Sequence, residues 1–533
     1  MERKVQYAKN GMVATSQPLA AAAGLEILRK GGNAMDAAVA AAACLTVVEP
    51  TSNGIGSDAF ALIWSAKHNK LFGLNASGKS PAAISIEAVR AAGHENMPRV
   101  GWIPVTVPGT PKAWAEISAR FGRLNLSETL APAVDYARGG YPVSPILGKY
   151  WRIAANAYSR RAAQNSPEFD SWFKTFAPNG KAPEIGEIWA SPDHAATLEE
   201  IGKTNAESFY SGKIADKIAE SSAQYGGFLA KSDLENFKAC WVEPICVNYR
   251  GHDVWEIPPN GQGIVALIAL NILKNRDFQN FNCRYDDTDV LHHQFEAIKL
   301  AFAAGKHYVT DPDHMTISPQ ELLTDDFAAK LYGEIGEYAA KPKVISPTPG
   351  GTVYLACADG EGNMVSYIQS NYMGFGSGIV IPNTGIAMQN RGADFSLNPE
   401  HANRLEGGKR TYHTIIPGFL TKNGVPIGPF GVMGGYMQPQ GHVQVIMNTV
   451  DFGMNPQAAL DAPRWQWTEG KNFQVENHFS INAAKELASR GHGIQIALDS
   501  GGFGRGQIIW RNPQNGVLSG GCDNRCDSGV AVW

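Results

Sequence analysis

Apolar and polar positions follow two different periods along this chain, and the change falls near residue 350. Before it, helical spacing dominates. Over residues 16–30, Leu19, Ala22, Ala23, Leu25, Ile27 and Leu28 form one stripe, and Gly31-Gly32 stops the helix. Ala34–Val48 is almost wholly apolar, which predicts a buried helix ended by Pro50. SNGIGSDAFALIW predicts a glycine turn feeding a strand, and LFGLNASGKSP a strand and turn. From about 110 to 345 the segments PKAWAEISARFG, ATLEEIGK, KIADKIAESSAQYG and DTDVLHHQFEAIKLAFAAGKHYV all carry helical periodicity. After Gly350 the texture turns to strands and Gly/Asn/Pro turns: TVYLACAD, GNMVSYIQSN, GIVIPNTGIAMQN, TIIPGFLTKNG and GPFGVMGG, followed by helices in HVQVIMNTVDFG and AAKELASRG. The order predicts mixed α and β without internal repeats.

Composition narrows the function classes. The 533 residues are 44% hydrophobic and 18% charged, enough apolar surface for a large core. Net charge is −4, which removes the electrostatic basis for a nucleic-acid partner. The first residues lack an apolar leader core, and the longest apolar stretch, 37–48, is shorter than the ~20 residues a span needs. A cytoplasmic protein with no membrane partner is expected. Seven scattered cysteines predict reduced thiols. Cys522 and Cys526 have no further ligands at zinc spacing, so no metal is expected.

Several motifs fail on context. Gly54-Ile55-Gly56 with Ala59 imitates a dinucleotide loop but follows a helix and opens a strand. Ser171 and Lys174 have no partner motifs. His292 and His293 are adjacent, so they point to different helix faces and predict packing or a polar network. No cofactor is called for.

The segment PTPGGTVYLACADGEGNMVSYIQSN is different. Pro347, Pro349, Gly350 and Gly351 make a helix-incompatible lead-in to a strand opened by Thr352. An amino-terminal nucleophile hydrolase needs such a Thr. Its hydroxyl attacks the preceding carbonyl, and Gly351 places no Cβ in the way. Cleavage then frees an α-amine with a reference pKa of ~7.7–8.0, able to serve as base. Thr110 in VPGTPKAW competes for the role, but Pro111 and a helix follow it.

At this point the chain resembles the γ-glutamyltranspeptidase (glutathione hydrolase) family over nearly its full length. The resemblance rests on GMVATSQPLAAAAGLEILRKGGNAMDAAVA, VEPTSNGIGSDAF, VPGTPKAW, GGT at 350–352, DGEGNMVS, FGSGIV, ADFS, VMGG and GMNPQAALDAPRWQW, in the family's order. It implies an α+β fold, a four-layer αββα sandwich, self-cut between Gly351 and Thr352. The products are a large subunit, 1–351, and a small subunit, 352–533, paired as one folded unit, with a homodimer of that heterodimer as a further assembly. It implies Thr352 as nucleophile, Ser370 as the hydroxyl hydrogen-bonded to it, Gly434 and Gly435 as oxyanion donors, and Asp394 as the carboxylate holding a substrate ammonium.

Other positions depart from the family pattern. Its carboxylate-binding Arg aligns with Ser77, with Lys79 two residues on; its serine pair becomes His413-Thr414; and a Gln becomes Arg391. Asn371 and Tyr372 stand near a displaced Asn, and a short 396–409 loop implies no lid. The resemblance thus implies a small-molecule amide substrate, with γ-glutamyl amides as the default. Oxamate-type or cephalosporin-acylase-type amides, or a non-catalytic homologue, are the alternatives. Ser77→Arg is expected to improve γ-glutamyl turnover.

Overall fold

The computed structural model describes residues 3–162, 166–278, 283–341 and 350–533. Pro347 and Pro349 of the expected lead-in lie outside these. Two seven-stranded antiparallel sheets form the centre. One runs in the order Gly529–Val532, Gly11–Thr15, Gly351–Asp359, Met364–Tyr372, Asp58–Ser65, Lys70–Ala76, Cys240–Val242. The other runs Gln6–Ala8, Leu518–Cys522, Arg505–Arg511, Val425–Met433, Gly418–Lys422, His252–Glu256, Ile245–Tyr249.

Strand parity sorts side chains into layers. In Gly351–Asp359, Val353, Leu355 and Cys357 join the core beneath the helices Pro18–Arg29, Ala34–Val48 and Leu126–Gly139. Tyr354, Ala356 and Ala358 of the same strand face the other way, into a core with Phe60, Leu62, Ile368, Phe419, Met433 and Ile509 from both sheets. On the far side of the second sheet, Phe430, Val432 and Ile508 pack with the helices Gly263–Leu273, Thr288–Tyr308 and Met437–Val450. Three apolar cores between four layers give the αββα sandwich.

Each sheet takes strands from both sides of residue 351. The carbonyl of Trp533 accepts hydrogen bonds from the amides of Lys9, Asn10 and Gly11, tying the last strand beside Gly11–Thr15.

Two readings shift. The helix-rich middle also contains the hairpin Ile245–Tyr249/His252–Glu256, turned at Arg250 and Gly251 with φ of 52° and 78°. GIVIPNTGIAMQN, expected as strands, holds only isolated bridges, Val380 to Ala387 and Gly56 to Met388. Its turn at Asn383 and Gly385 keeps the arms too short for a ladder. The 396–409 loop packs down through Leu397 and Leu405 onto Ile84, Ile86, Val89 and Phe395.

Candidate active site

The site begins with a bulge. Gly351 pairs with Tyr372 and Val353 with Gln369, so the second strand carries one extra residue opposite Thr352. Ser370 is thereby brought against Thr352. By parity both side chains face the space between the sheets, and so does Asp58, which pairs with Ser370 on the next strand. All three are buried.

One hydroxyl connects nucleophile and scissile bond. Thr352 Oγ1 donates to Ser370 Oγ at 3.0 Å, and Ser370 Oγ donates to the Gly351 carbonyl at 2.7 Å. The Tyr372 amide donates to the same Oγ at 2.8 Å. This holds Tyr372 at φ 76°, a strained backbone for an aromatic residue.

Gly434 and Gly435 lie just past the strand Val425–Met433 and just before the helix Met437–Val450. Their φ values of 137° and 61° suit glycine. A Cβ at Gly434 would sit 3.1 Å from Gly504 Cα, and one at Gly350 would sit 3.4 Å from Gly435 Cα. The glycine pair is therefore close to the chain leading into Thr352. Gln262 Nε2 ties the Gly435 carbonyl at 2.9 Å and the Thr414 carbonyl at 2.7 Å. The amides here lie at a helix N-terminus, where partial positive charge favours an anion.

The polar floor is crowded. Asp394 Oδ1 accepts from the Tyr372 and Tyr436 hydroxyls, each at 2.9 Å, and its Oδ2 lies 4.0 Å from Arg391 Nη1. Arg391 is fully buried, donates to Thr414 Oγ1 at 2.8 Å, and lies 4.1 Å from the Tyr372 ring centre. Its Nε and Nη2 are buried without a hydrogen-bond partner. Lys306 hydrogen-bonds the Tyr436 hydroxyl between the Tyr412 and Tyr436 rings. Burial pulls its amine down to about 8, against the pull of Asp394.

His413 Nε2 donates to Asp58 Oδ2 at 3.1 Å, and its Nδ1 accepts from the Ile415 amide, which fixes the neutral tautomer. Burial holds His413 well below its ordinary range, and the Arg391 charge acts the same way. Burial pushes Asp58 up to about 7, with Arg391 opposing.

Comparison with known proteins bears on this site. The family model described as gamma-glutamyltranspeptidase matches residues 20–533. The chain belongs to the γ-glutamyltranspeptidase family. It is 35% identical over 532 residues to a glutathione hydrolase-like proenzyme of Bacillus subtilis, covering 98% of each. It is 33% identical over 537 residues to the oxamate amidohydrolase proenzyme of Klebsiella pneumoniae, again covering 98% of each. Among solved structures it superimposes on a cephalosporin acylase from Bacillus halodurans with a TM-score of 0.96 and 59% identity, covering 100% of this chain and 97% of that one. It is an amidohydrolase of the amino-terminal-nucleophile kind.

Within this γ-glutamyltranspeptidase-family site, Thr352, Ser370 and Gly351 meet directly, and Asp394, Arg391 and Thr414 form one cluster. Ser77 lies at the end of the neighbouring strand, beside Asp58, where the Gly78 amide donates to Asp58 Oδ1 at 3.1 Å. Its hydroxyl donates to Asn75 Oδ1 at 2.7 Å, within a buried network that includes Asn260. Its carbonyl accepts from Arg410 Nε at 3.1 Å, so a guanidinium from another segment reaches this position. Asp58, Tyr436, Lys306 and Gln262 were not singled out from the sequence. Asp58 was findable, since it shares the parity of Phe60, Leu62 and Trp64 yet is charged.

His292 and His293 are both buried. His292 Nδ1 lies 2.9 Å from His492 Nε2, and Glu296 beside them is ion-paired to Lys299 at 2.6 Å. Among the described residues no helix is long and apolar enough to cross a membrane.

Proposed function

We propose that this chain cuts itself between Gly351 and Thr352 and then hydrolyses small-molecule amides through an acyl group carried on Thr352. The observation that carries this reading is the chain of hydroxyls from Thr352 through Ser370 to the Gly351 carbonyl. Thr352 Oγ1 attacks the Gly351 carbonyl carbon, and the Ser370 hydroxyl stabilises the charge developing on its oxygen. As the Oγ1–carbon bond forms, the Gly351–Thr352 carbon–nitrogen bond breaks and the nitrogen takes up the hydroxyl proton, leaving an ester and a free Thr352 α-amine. Water then cleaves the ester to the Gly351 carboxylate and the Thr352 hydroxyl. Fragments 1–351 and 352–533 stay together, because strands from each are interleaved in both sheets.

In turnover the α-amine takes the hydroxyl proton, Thr352 Oγ1 attacks the substrate carbonyl, and the amides of Gly434 and Gly435 receive the oxyanion. Water or a second amine releases the acyl group. Relatives named as a glutathione hydrolase-like proenzyme and an oxamate amidohydrolase proenzyme support the reaction type.

A γ-glutamyl amide is the family's default donor. The surroundings of Arg391 favour a second reading, an acyl donor other than γ-glutamyl that carries a carboxylate, because two buried Arg391 nitrogens have no hydrogen-bond partner. Asp394 Oδ1 is taken by two phenols, and its Oδ2, 4.0 Å from Arg391, is likewise without a hydrogen-bond partner. The 59% identity to a cephalosporin acylase supports a donor other than a γ-glutamyl amide.

Maturation tests the proposal. Thr352→Ala should remain one chain on a denaturing gel, and Thr352→Ser should cut more slowly than wild type. Two fragments from the Ala variant would remove Thr352 from the mechanism.

A further inference from the structure

We infer that the amine half of the amide is received in an apolar subsite on the helix Pro145–Ala162, so the preferred substrates are amides of bulky apolar amines. This rests on the amidohydrolase reading above.

Two neighbouring cavities carry the inference. One, of about 360 Å³, is lined by Gly350, Gly351 and Gly434, the residues that bracket the scissile carbonyl. The second, of about 300 Å³, shares Thr51, Tyr150, Met373 and Gly374 with the first. Its wall is one face of the helix, Ile153, Ala154, Ala157 and Tyr158, closed by Val100 and Phe375, with Arg99 and Asn390 as its charged and polar members. Ile153 is 55% exposed, a large apolar side chain left beside a cavity next to the reacting bond.

The wall is rigid. Trp172 packs against Phe375 with ring centres 5.2 Å apart and against Tyr158 at 4.6 Å, and Trp151 packs against Phe375 at 5.8 Å. A preformed wall spares binding the cost of ordering side chains.

The order of bond breaking decides which half of the substrate sits there. As the Thr352 Oγ1–carbon bond forms, the carbon–nitrogen bond breaks. The hydroxyl proton, taken up by the α-amine, passes to the leaving nitrogen. The amine departs first while the acyl group stays on Thr352. The acyl half therefore needs an enclosed place, and Arg391 under the Tyr372 ring is enclosed. The amine needs an open exit, and the helix wall borders solvent.

The test uses the full-length, self-cleaved protein and one acyl group joined to methylamine, hexylamine or cyclohexylmethylamine. These alkyl amines differ in apolar area far more than in basicity. Wild type should show kcat/KM at least ~10-fold higher for the cyclohexylmethyl amide than for the methyl amide, on the scale of a few buried methylenes. Ala157→Trp, which fills the cavity, and Ile153→Asp, which charges its wall, should each bring that ratio close to one. Appearance of the two fragments checks that each variant folds; should either fail, the wild-type series decides alone. A flat wild-type series, or a ratio unmoved in the folded variants, overturns the inference while leaving the amidohydrolase reading intact. No acylation of Thr352 by any amide overturns both.

Discussion

Removing the Ser370 hydroxyl probes the step that turns one chain into two. Ser370→Ala takes away the acceptor of the Thr352 hydroxyl at 3.0 Å, the donor to the Gly351 carbonyl at 2.7 Å and the acceptor of the Tyr372 amide at 2.8 Å. Loss of one preorganised donor to a developing oxyanion costs ~10²–10³ in rate, or about 2.7–4 kcal/mol of barrier. Self-cleavage should slow by that factor. The ground state also loses stability, because a buried polar group left unpaired costs ~1–3 kcal/mol. Ser370→Thr keeps the hydroxyl and should stay within about tenfold of wild type. The assay is intact mass against time after synthesis, following the fragments 1–351 and 352–533. A Ser370→Ala chain that cuts at the wild-type rate would refute the reasoning. So would equal slowing in the Ala and Thr variants, which would make the hydroxyl a packing element only.

Three further outcomes follow from the geometry. Burial raises the Asp58 carboxyl to about 7, so its contribution to stability is full below about pH 4 and is lost as pH rises through about 7. A change of that size is worth on the order of 4 kcal/mol. His413, held low, acts with the opposite sign as pH falls, so the informative quantity is the difference between wild type and Asp58→Asn in denaturant melts from pH 4 to 8. Equal pH slopes would contradict the burial argument. Gly435→Val forces a β-branched residue to φ 61° and should lower amide turnover ~10²-fold or more in a folded, cleaved protein, measured as kcat. An unchanged rate would take the glycine pair out of the mechanism. Ser77→Arg should not improve γ-glutamyl turnover, contrary to the expectation from sequence. The position is fully buried, its hydroxyl belongs to the Asn75–Asn260 network, and overpacking costs ~1–3 kcal/mol. A fall in KM for a γ-glutamyl amide, without loss of melting temperature, would show that the space exists.

The fold was legible where period and burial agreed. Ala34–Val48 is apolar on every face, and it is a helix buried on every face. The Gly351–Asp359 and Met364–Tyr372 hairpin was legible from its Pro/Gly lead-in and its turn at 359–363. The hairpin 245–256 was not, because the polar residues Asn248, His252 and Asp253 break the apolar run. At the site, the meeting of Thr352 and Ser370 depends on a bulge, and one-letter spacing does not reveal a register shift. The Asp394 cluster joins residues from 306 to 436, so Lys306 and Tyr436 could be placed only by the tertiary fold. The burial of Ser77 and the approach of Arg410 to it needed coordinates.

Acylation of Thr352 tests the central claim most directly. The self-cleaved protein is mixed with a panel of amides carrying γ-glutamyl, oxamate, glutaryl or other acyl groups, quenched in acid, and weighed fragment by fragment. The account predicts that the 352–533 fragment gains the mass of one acyl group, that the adduct maps to Thr352, and that it disappears as free acid accumulates. Turnover with the adduct on any other residue, or with no adduct on a fragment beginning at Thr352, would contradict it.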